Sequence, residues 1–325
     1  MSLLQAVDSL EVDVIVDNVT DGLSSTPSFV EHEWASLARR GYRIVAGPNL
    51  CCAAHGLSCL VTVRKGDATR RLLFDTGPDE DVFVRNVERL KLDLGTVDGI
   101  VLSHGHWDHG GALLKALDLI GAANGGRRVP CYMHPEMFAT RAMRLPDGTM
   151  RPMADIPGPA ALEARGAEVM LSRDPLAVLD GLFWISGEIP RVSPFETGVV
   201  GQFRKTPAGD WEADPLLMDE RAVAVLLAGK GLFVFSACSH AGIVNVLTHA
   251  QASFPGTPVH GVLGGLHLSG GNERIIPQTV EALGAFGLSV VAAGHCTGFR
   301  AMASLLQAFG DQRLAPLAVG KRFTL

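Results

Sequence analysis

Three histidines and an aspartate fall within six residues in the segment Ser103-His104-Gly105-His106-Trp107-Asp108-His109-Gly110-Gly111. Imidazole nitrogen and carboxylate oxygen are donors that zinc and neighbouring transition metals accept. A lone histidine is more often a helix cap or a satisfied core residue than a ligand. Four such donors in one short loop have no comparably bland explanation. His104 and His106 can grip one ion while Asp108 and His109 point to another. Gly105 is expected to supply an unusual backbone angle, and Gly110-Gly111 to let a helix begin close to the site.

Donors on a loop need a rigid frame, and the flanking sequence supplies it. Residues 97–102 read as a buried strand and 110–123 as a Leu/Ala-rich helix. Upstream, 12–16 reads as a strand and 24–40 as a polar, partly helical stretch. Runs at 57–64 and 71–75 read as strands paired around Lys65-Gly66-Asp67. Val82, Phe83, Val87 and Leu90 recur at helical spacing within 79–92. Strands are expected at 129–133, 168–171 and 182–186, with a Pro-, Met- and Arg-rich loop at 143–159. The second half alternates: strands at 222–227, 232–235, 259–263 and 289–292, and helices at 242–252, 277–286 and 299–309. No linker-like break divides the halves, so one domain over 1–325 is expected. The stretch 193–220 has little periodicity and reads as a lid or substrate loop.

The chain has 325 residues, 47% of them hydrophobic and 19% charged, which excludes a disordered chain. A net charge of -6 gives no electrostatic case for binding nucleic acid or an anionic membrane, leaving a small molecule as the expected partner. The six cysteines show no CxxC spacing and read as reduced, mostly buried thiols. Asp8, Glu11 and Asp13 interrupt the N-terminal sequence before any apolar run long enough for a signal peptide, so a cytoplasmic protein is expected.

The pattern Ser-His-x-His-x-Asp-His-Gly-Gly after a strand, with Phe74-Asp75-Thr76-Gly77 upstream and Gly294-His295 near the end, resembles the metallo-β-lactamase superfamily. The resemblance spans nearly the whole chain and implies an α+β four-layer αββα sandwich with one or two metal ions at the sheet edge. More narrowly, Val16-Asp17-Asn18, His55-Gly56-Leu57-Ser58, Gly187-Glu188-Ile189-Pro190-Arg191, Cys238-Ser239-His240-Ala241-Gly242, Gly264-Gly265-Leu266-His267-Leu268 and Gly294-His295-Cys296-Thr297-Gly298 resemble one branch. That branch is named for a dihydropterin–ribofuranosylaminobenzene phosphate synthase of methanopterin biosynthesis.

By this resemblance His104 and His106 hold the first metal, and Asp108, His109 and His295 the second. Two departures stand out. Where the superfamily usually has a Pro-Gly-His step, this chain has Ser186-Gly187-Glu188. Where it usually has a bridging Asp after a Gly, Phe235-Ser236-Ala237 runs into Cys238-Ser239-His240. His240, leaving an apolar strand, is the preferred substitute, with Cys238, Glu188 and His267 in reserve. A Cys238 thiolate suits zinc as a bridge. His55 sits in a branch-like motif that would line the pocket, and Asp75 is expected to orient backbone or a ligating histidine. His32, His134, His249 and His260 read as structural or surface residues.

The implied chemistry is hydrolysis of a small-molecule ester, lactone or phosphoester by a metal-activated water that Asp108 orients or deprotonates. Zinc is the expected ion, one or two per chain, with manganese or iron as alternatives. The competing readings are a synthase joining a pterin to an aminobenzene ribofuranosyl phosphate, and a non-catalytic metal or ligand sensor on the same fold. A metal-free serine hydrolase at Ser239 is weaker, because a nucleophile elbow wants glycine where Ala237 and Ala241 stand. Arg191, Arg204, Lys205 and Arg300 are candidates to meet a phosphorylated substrate, and Trp107, Phe195 and Trp211 to stack on a pterin-like ring.

Overall fold

The computed structural model describes residues 4–325. Two sheets carry the architecture. The first has the strand order Ala167–Leu171, Val129–Met133, Gly99–Val101, Ala68–Phe74, Ser58–Lys65, Ser9–Val16, Arg322–Thr324, Val30–Glu31. The second runs Leu176–Val178, Phe183–Ile185, Ala222–Leu227, Gly231–Ser236, Val259–Gly265, Val290–Gly294, with Ala6–Val7 pairing alongside Ala222–Leu227.

Successive side chains on a strand point to opposite faces, and the apolar residues sort accordingly. Cys59, Val61, Val63, Leu72 and Phe74 of the first sheet meet Phe183, Val223, Val225, Phe233, Phe235 and Leu263 of the second in one core. The alternate residues face outward and still find apolar partners. Leu60 and Leu73 pack under Phe83 and Val87 of the helix Glu80–Arg89 and Leu113, Leu117 and Ile120 of the helix Leu113–Ala123. Leu232, Val234 and Val291 pack under Val246 of Ile243–Ser253, Leu283 of Ile276–Ala285 and Leu305 of Phe299–Phe309. The result is the α+β, four-layer αββα sandwich. Because both faces of each sheet are covered, these strands read as continuous apolar runs instead of clean alternation.

The strands Val129–Met133 and Ala222–Leu227 and the helix Phe299–Phe309 fall where periodicity placed them. The stretch 143–159 does not. Arg141–Arg144 and Met150–Pro152 form a hairpin, which joins Gln202–Lys205 and Trp211–Ala213 in a separate four-stranded sheet. Each of these strands is short and largely exposed, so none carries an apolar run. The helix expected over 110–123 begins only at Leu113 and runs to Ala123, preceded by a separate short helix, Trp107–Gly110. At the junction Gly111 passes Pro78 so closely that a Cβ would lie 2.1 Å from its carbonyl oxygen. No helix among the described residues is long and apolar enough to cross a membrane.

Candidate metal centre

The parallel strands Ala68–Phe74 and Gly99–Val101 of one sheet, and Gly231–Ser236, Val259–Gly265 and Val290–Gly294 of the other, end at a common edge. Asp75, the His104–His109 loop, Cys238 to His240, His267 and His295 leave from those ends. Among the described residues, eight other than glycine have positive φ, and Asp75, Ser239, His267 and His295 are four of them. A backbone conformation that L-residues disfavour is thus concentrated at these turns, where it aims side chains across the edge.

The ligand atoms of His104, His106 and His240 all lie within 4.8 Å of one another. Ser103 Oγ lies 2.9 Å from His104 Nδ1, while His104 Nε2 lies 3.0 Å from His106 Nδ1. Burial, with the surrounding histidines and Arg141 adding to it, pushes His104 and His106 well below the usual histidine range. Both are therefore neutral, as ligands must be. Gly105, between them, has no left-handed φ. Its lack of a side chain serves close approach, since a Cβ there would lie 2.0 Å from the Met137 carbonyl oxygen. Its N–H donates to Asp219 Oδ2 at 2.8 Å, and Arg141 holds the other oxygen at 2.8 Å. His240 is anchored by Glu220, which accepts from the N–H groups of His240 and Ala241 at 2.7 and 2.6 Å and lies 3.1 Å from His240 Nδ1. Burial opposes the charge on Glu220, but His240 and these N–H groups hold its carboxyl down at about 2.

A second group surrounds Asp108, whose Oδ2 lies 3.5 Å from His55 Nε2, 3.6 Å from His109 Nε2 and 3.5 Å from His295 Nε2. Asp75 orients His109, accepting at 2.7 Å from its Nδ1, and also accepts from Ser103 N and Oγ at 2.7 Å each. Burial works to lower the His109 pKa, yet Asp108 and Asp75 raise it to about 9, so the potential at this point favours a positive charge. His295 is held through its own N–H by Asp17 Oδ1 at 2.9 Å and through Nδ1 by Asn18 Oδ1 at 3.0 Å.

Cys238 stands between the two groups. Its Sγ shares a 4.8 Å neighbourhood with His104 and His109 and another with His240 and His267, and it lies 3.3 Å from His267 Nδ1. Cys296, which the sequence reading did not single out as a ligand, brings its Sγ to 3.1 Å from Cys238 Sγ. Glu220, Asp17 and Asn18, which the spacing of the ligands does not reveal, position His240 and His295. The placement of Asp219-Glu220 directly before an apolar strand was the available signal for Glu220.

Two candidates are placed elsewhere. Glu188 lies outside the centre, because Arg173 takes its Oε1 at 2.8 Å and His134 Nε2 approaches it at 3.1 Å. Ser239 Oγ is buried, 2.7 Å from Ser236 Oγ and donating to the Gly265 carbonyl at 2.6 Å. It braces the strand ends and does not line the large cavity, which removes the basis for a serine nucleophile.

That cavity, about 890 Å³, opens over the centre. His55, His106, Asp108, Cys238, His240, His267 and His295 lie at its foot. Trp107, Met143, Met153, Val199, Phe299 and Met302 supply much of the wall. From the stretch 193–220, Val199 and Gln202 reach it; Phe195 and Trp211 do not. Among the described residues, no lysine or arginine lines it. Arg191 donates to the carbonyls of Ile189 and Leu216, Arg204 to Glu136 and Glu212, Arg300 to Glu273, and Lys205 Nζ sits 5.3 Å above the Trp211 ring.

The donor set fits a divalent transition metal. His106 Nε2 and His109 Nε2 are buried without a hydrogen-bond partner, an arrangement that costs free energy unless something else satisfies them. Imidazoles, one carboxylate and a thiol at one point are the ligand types zinc prefers.

Comparison with known proteins agrees. The sequence profile of the metallo-beta-lactamase superfamily matches residues 56–190. A 7,8-dihydropterin-6-methyl-4-(beta-D-ribofuranosyl)-aminobenzene-5'-phosphate synthase of Methanocaldococcus jannaschii is 31% identical over 261 residues, 79% of this chain and 85% of that protein. The crystal structure of a metal-dependent hydrolase of the beta-lactamase superfamily superposes with a TM-score of 0.69 at 21% identity, covering 97% of this chain and 98% of the other. Unliganded yeast PDE1 shares the fold at a TM-score of 0.51 and 10% identity, over 99% and 100% of the two chains. The converging strand ends, the buried imidazoles and the relationship to the archaeal synthase together make this chain a member of the metallo-β-lactamase superfamily.

Proposed function

We propose that the protein is a zinc-dependent hydrolase of a small, uncharged ester or lactone. The observation that carries this reading is the contrast within one cavity, where metal-ligating groups sit under an apolar wall to which, among the described residues, no lysine or arginine contributes. Bound at the two groups, divalent ions would polarise the oxygen under attack and lower the pKa of water toward ~7. The chain's own residues do the rest. Asp108 Oδ2, facing three imidazoles, orients the attacking water and accepts its proton. Asp75 accepts from His109 Nδ1 and so directs Nε2, the nitrogen that gives up its proton to an ion, toward the centre. Met143, Met153, Val199 and Phe299 cover the apolar body of the substrate and exclude bulk water.

A second reading, the synthase, is favoured by the 31% identity to the archaeal enzyme. Trp107 offers a flat surface to a pterin, but among the described residues the cavity has no lysine or arginine for a pyrophosphate or ribose phosphate. Protein stripped with chelator and reloaded with zinc or manganese should be offered uncharged esters, lactones and phosphoesters, and separately a dihydropterin pyrophosphate with an aminobenzene ribofuranosyl phosphate. Metal-dependent turnover of an ester or lactone is the expected result. Conjugate formation without hydrolysis would overturn the proposal and establish the synthase.

A further inference from the structure

The distances around Asp108 make His55 look like a ligand, since His55, Asp108 and His295 bring their donor atoms within 4.8 Å of one another. The hydrogen bonds of Asn18 argue otherwise. Its Oδ1 accepts from the Gly56 main-chain N–H at 3.1 Å, and its Nδ2 donates to the His295 main-chain carbonyl at 3.1 Å. A main-chain N–H can only donate and a carbonyl can only accept, so these two contacts fix which end of the amide is oxygen. The same amide then meets two imidazoles. Oδ1 lies 3.0 Å from His295 Nδ1, which must carry a proton, and Nδ2 lies 3.1 Å from His55 Nδ1, which must not. In a neutral ring one nitrogen donates and the other accepts. His295 therefore presents a lone pair at Nε2, and His55 presents an N–H there.

We infer that His55 is a hydrogen-bond donor to the substrate and not a metal ligand, its role set by the Asn18 amide. A protonated Nε2 has no lone pair for an ion. The ring stands where a donor to substrate is useful: its side chain is 57% exposed, it lines the cavity, and it leans on the His295 ring at 5.0 Å and the Trp107 ring at 6.1 Å. Its N–H overlooks Asp108 Oδ2 from 3.5 Å, too far for a good bond and close enough to reach a substrate oxygen placed above the centre. The substrate part of this inference rests on the hydrolase reading; the tautomer and the absence of ligation do not.

The test uses full-length, zinc-loaded protein. Nitrogen-15 correlation spectra of the histidine rings should show His55 protonated at Nε2 before and after loading. His55→Ala and His55→Gln should bind as much zinc per chain as the parent. On an ester or lactone that the parent hydrolyses, kcat/KM should fall roughly 10- to 100-fold in His55→Ala. It should recover in part in His55→Gln, whose side-chain amide can donate from a similar position. Asn18→Asp, which can accept from His55 but not donate to it, should move the His55 proton to Nδ1 and reproduce the His55→Ala loss. Loss of zinc in both His55 variants, or an Nδ1-protonated His55 in the loaded parent, overturns the inference. If the parent hydrolyses nothing, the hydrolase reading fails while the spectra and zinc content still decide whether His55 is a ligand.

Discussion

Asp75 Oδ2 lies 2.7 Å from His109 Nδ1, and both side chains are fully withdrawn from solvent. The carboxylate thereby determines which imidazole nitrogen faces the centre. It also accepts from Ser103 N and Oγ, so one buried group ties the loop bearing four candidate ligands to the neighbouring strand end. Asp75→Ala should leave three donors without an acceptor. A stability loss of about 3 kcal/mol or more is expected, each orphaned donor costing roughly 1–3 kcal/mol. Urea unfolding of the metal-free protein measures it without any contribution from bound ion.

Glu220 plays the matching part in the other sheet. Glu220→Gln keeps the shape but exchanges one acceptor oxygen for a donor facing the N–H groups of His240 and Ala241. His240 should lose its fixed position, and zinc affinity should fall about 10- to 100-fold, the usual cost of losing a group that orients a ligand. Competition with a chromophoric chelator gives the number. Unchanged affinity would show that His240 does not hold an ion.

Asp21 offers a pH signature away from the ligands. Burial works against its charge, but Lys321 Nζ at 3.0 Å and hydrogen bonding with Ser24 hold its carboxyl at about 2, below the ordinary 3.8. The folded state thus binds the proton less readily than the unfolded chain. The resulting stability is present above 3.8 and is lost as pH falls from there toward about 2. Asp21→Asn should be less stable than the parent near neutrality, and the difference should close on acidification. A difference independent of pH would mean that the Lys321 pair contributes nothing.

Phe235 tests the coupling of core to centre. Its ring meets Phe74 across the two sheets at 6.1 Å and Phe233 at 5.3 Å, fully buried, three residues before Cys238. Phe235→Ala should cost about 3–5 kcal/mol. The denaturant midpoint should drop accordingly, and zinc content of the protein that remains folded shows whether the cavity disturbs the loop.

Local spacing made the first half of the site legible. His104, His106, Asp108 and His109 announce themselves because four donors share one loop, and the apolar runs beside them gave the strands of the main sheets. The other half is assembled by strand order, which a linear pattern does not display. Cys238, His267 and His295 meet because three parallel strands end together, and Cys296 meets Cys238 across 58 positions of chain. Glu188 was misplaced for the opposite reason: it follows a strand in the expected place, but Arg173 offers its carboxylate a stronger partner. The short strands at Arg141–Arg144 and Gln202–Lys205 are not legible in the sequence because they carry no apolar run, only pairings within their own small sheet.

The candidate ligands divide between the sheets, His104 to His109 on one and Cys238, His240, His267 and His295 on the other. An ion shared by them would act as a rivet through the seam, and neither half alone holds the full set. A chain nicked in the exposed turn at Pro207-Ala208-Gly209 would leave the two sets on separate fragments. Metal uptake would then report reassembly of the fragments, so the centre would serve as a built-in gauge of whether the two halves have found each other.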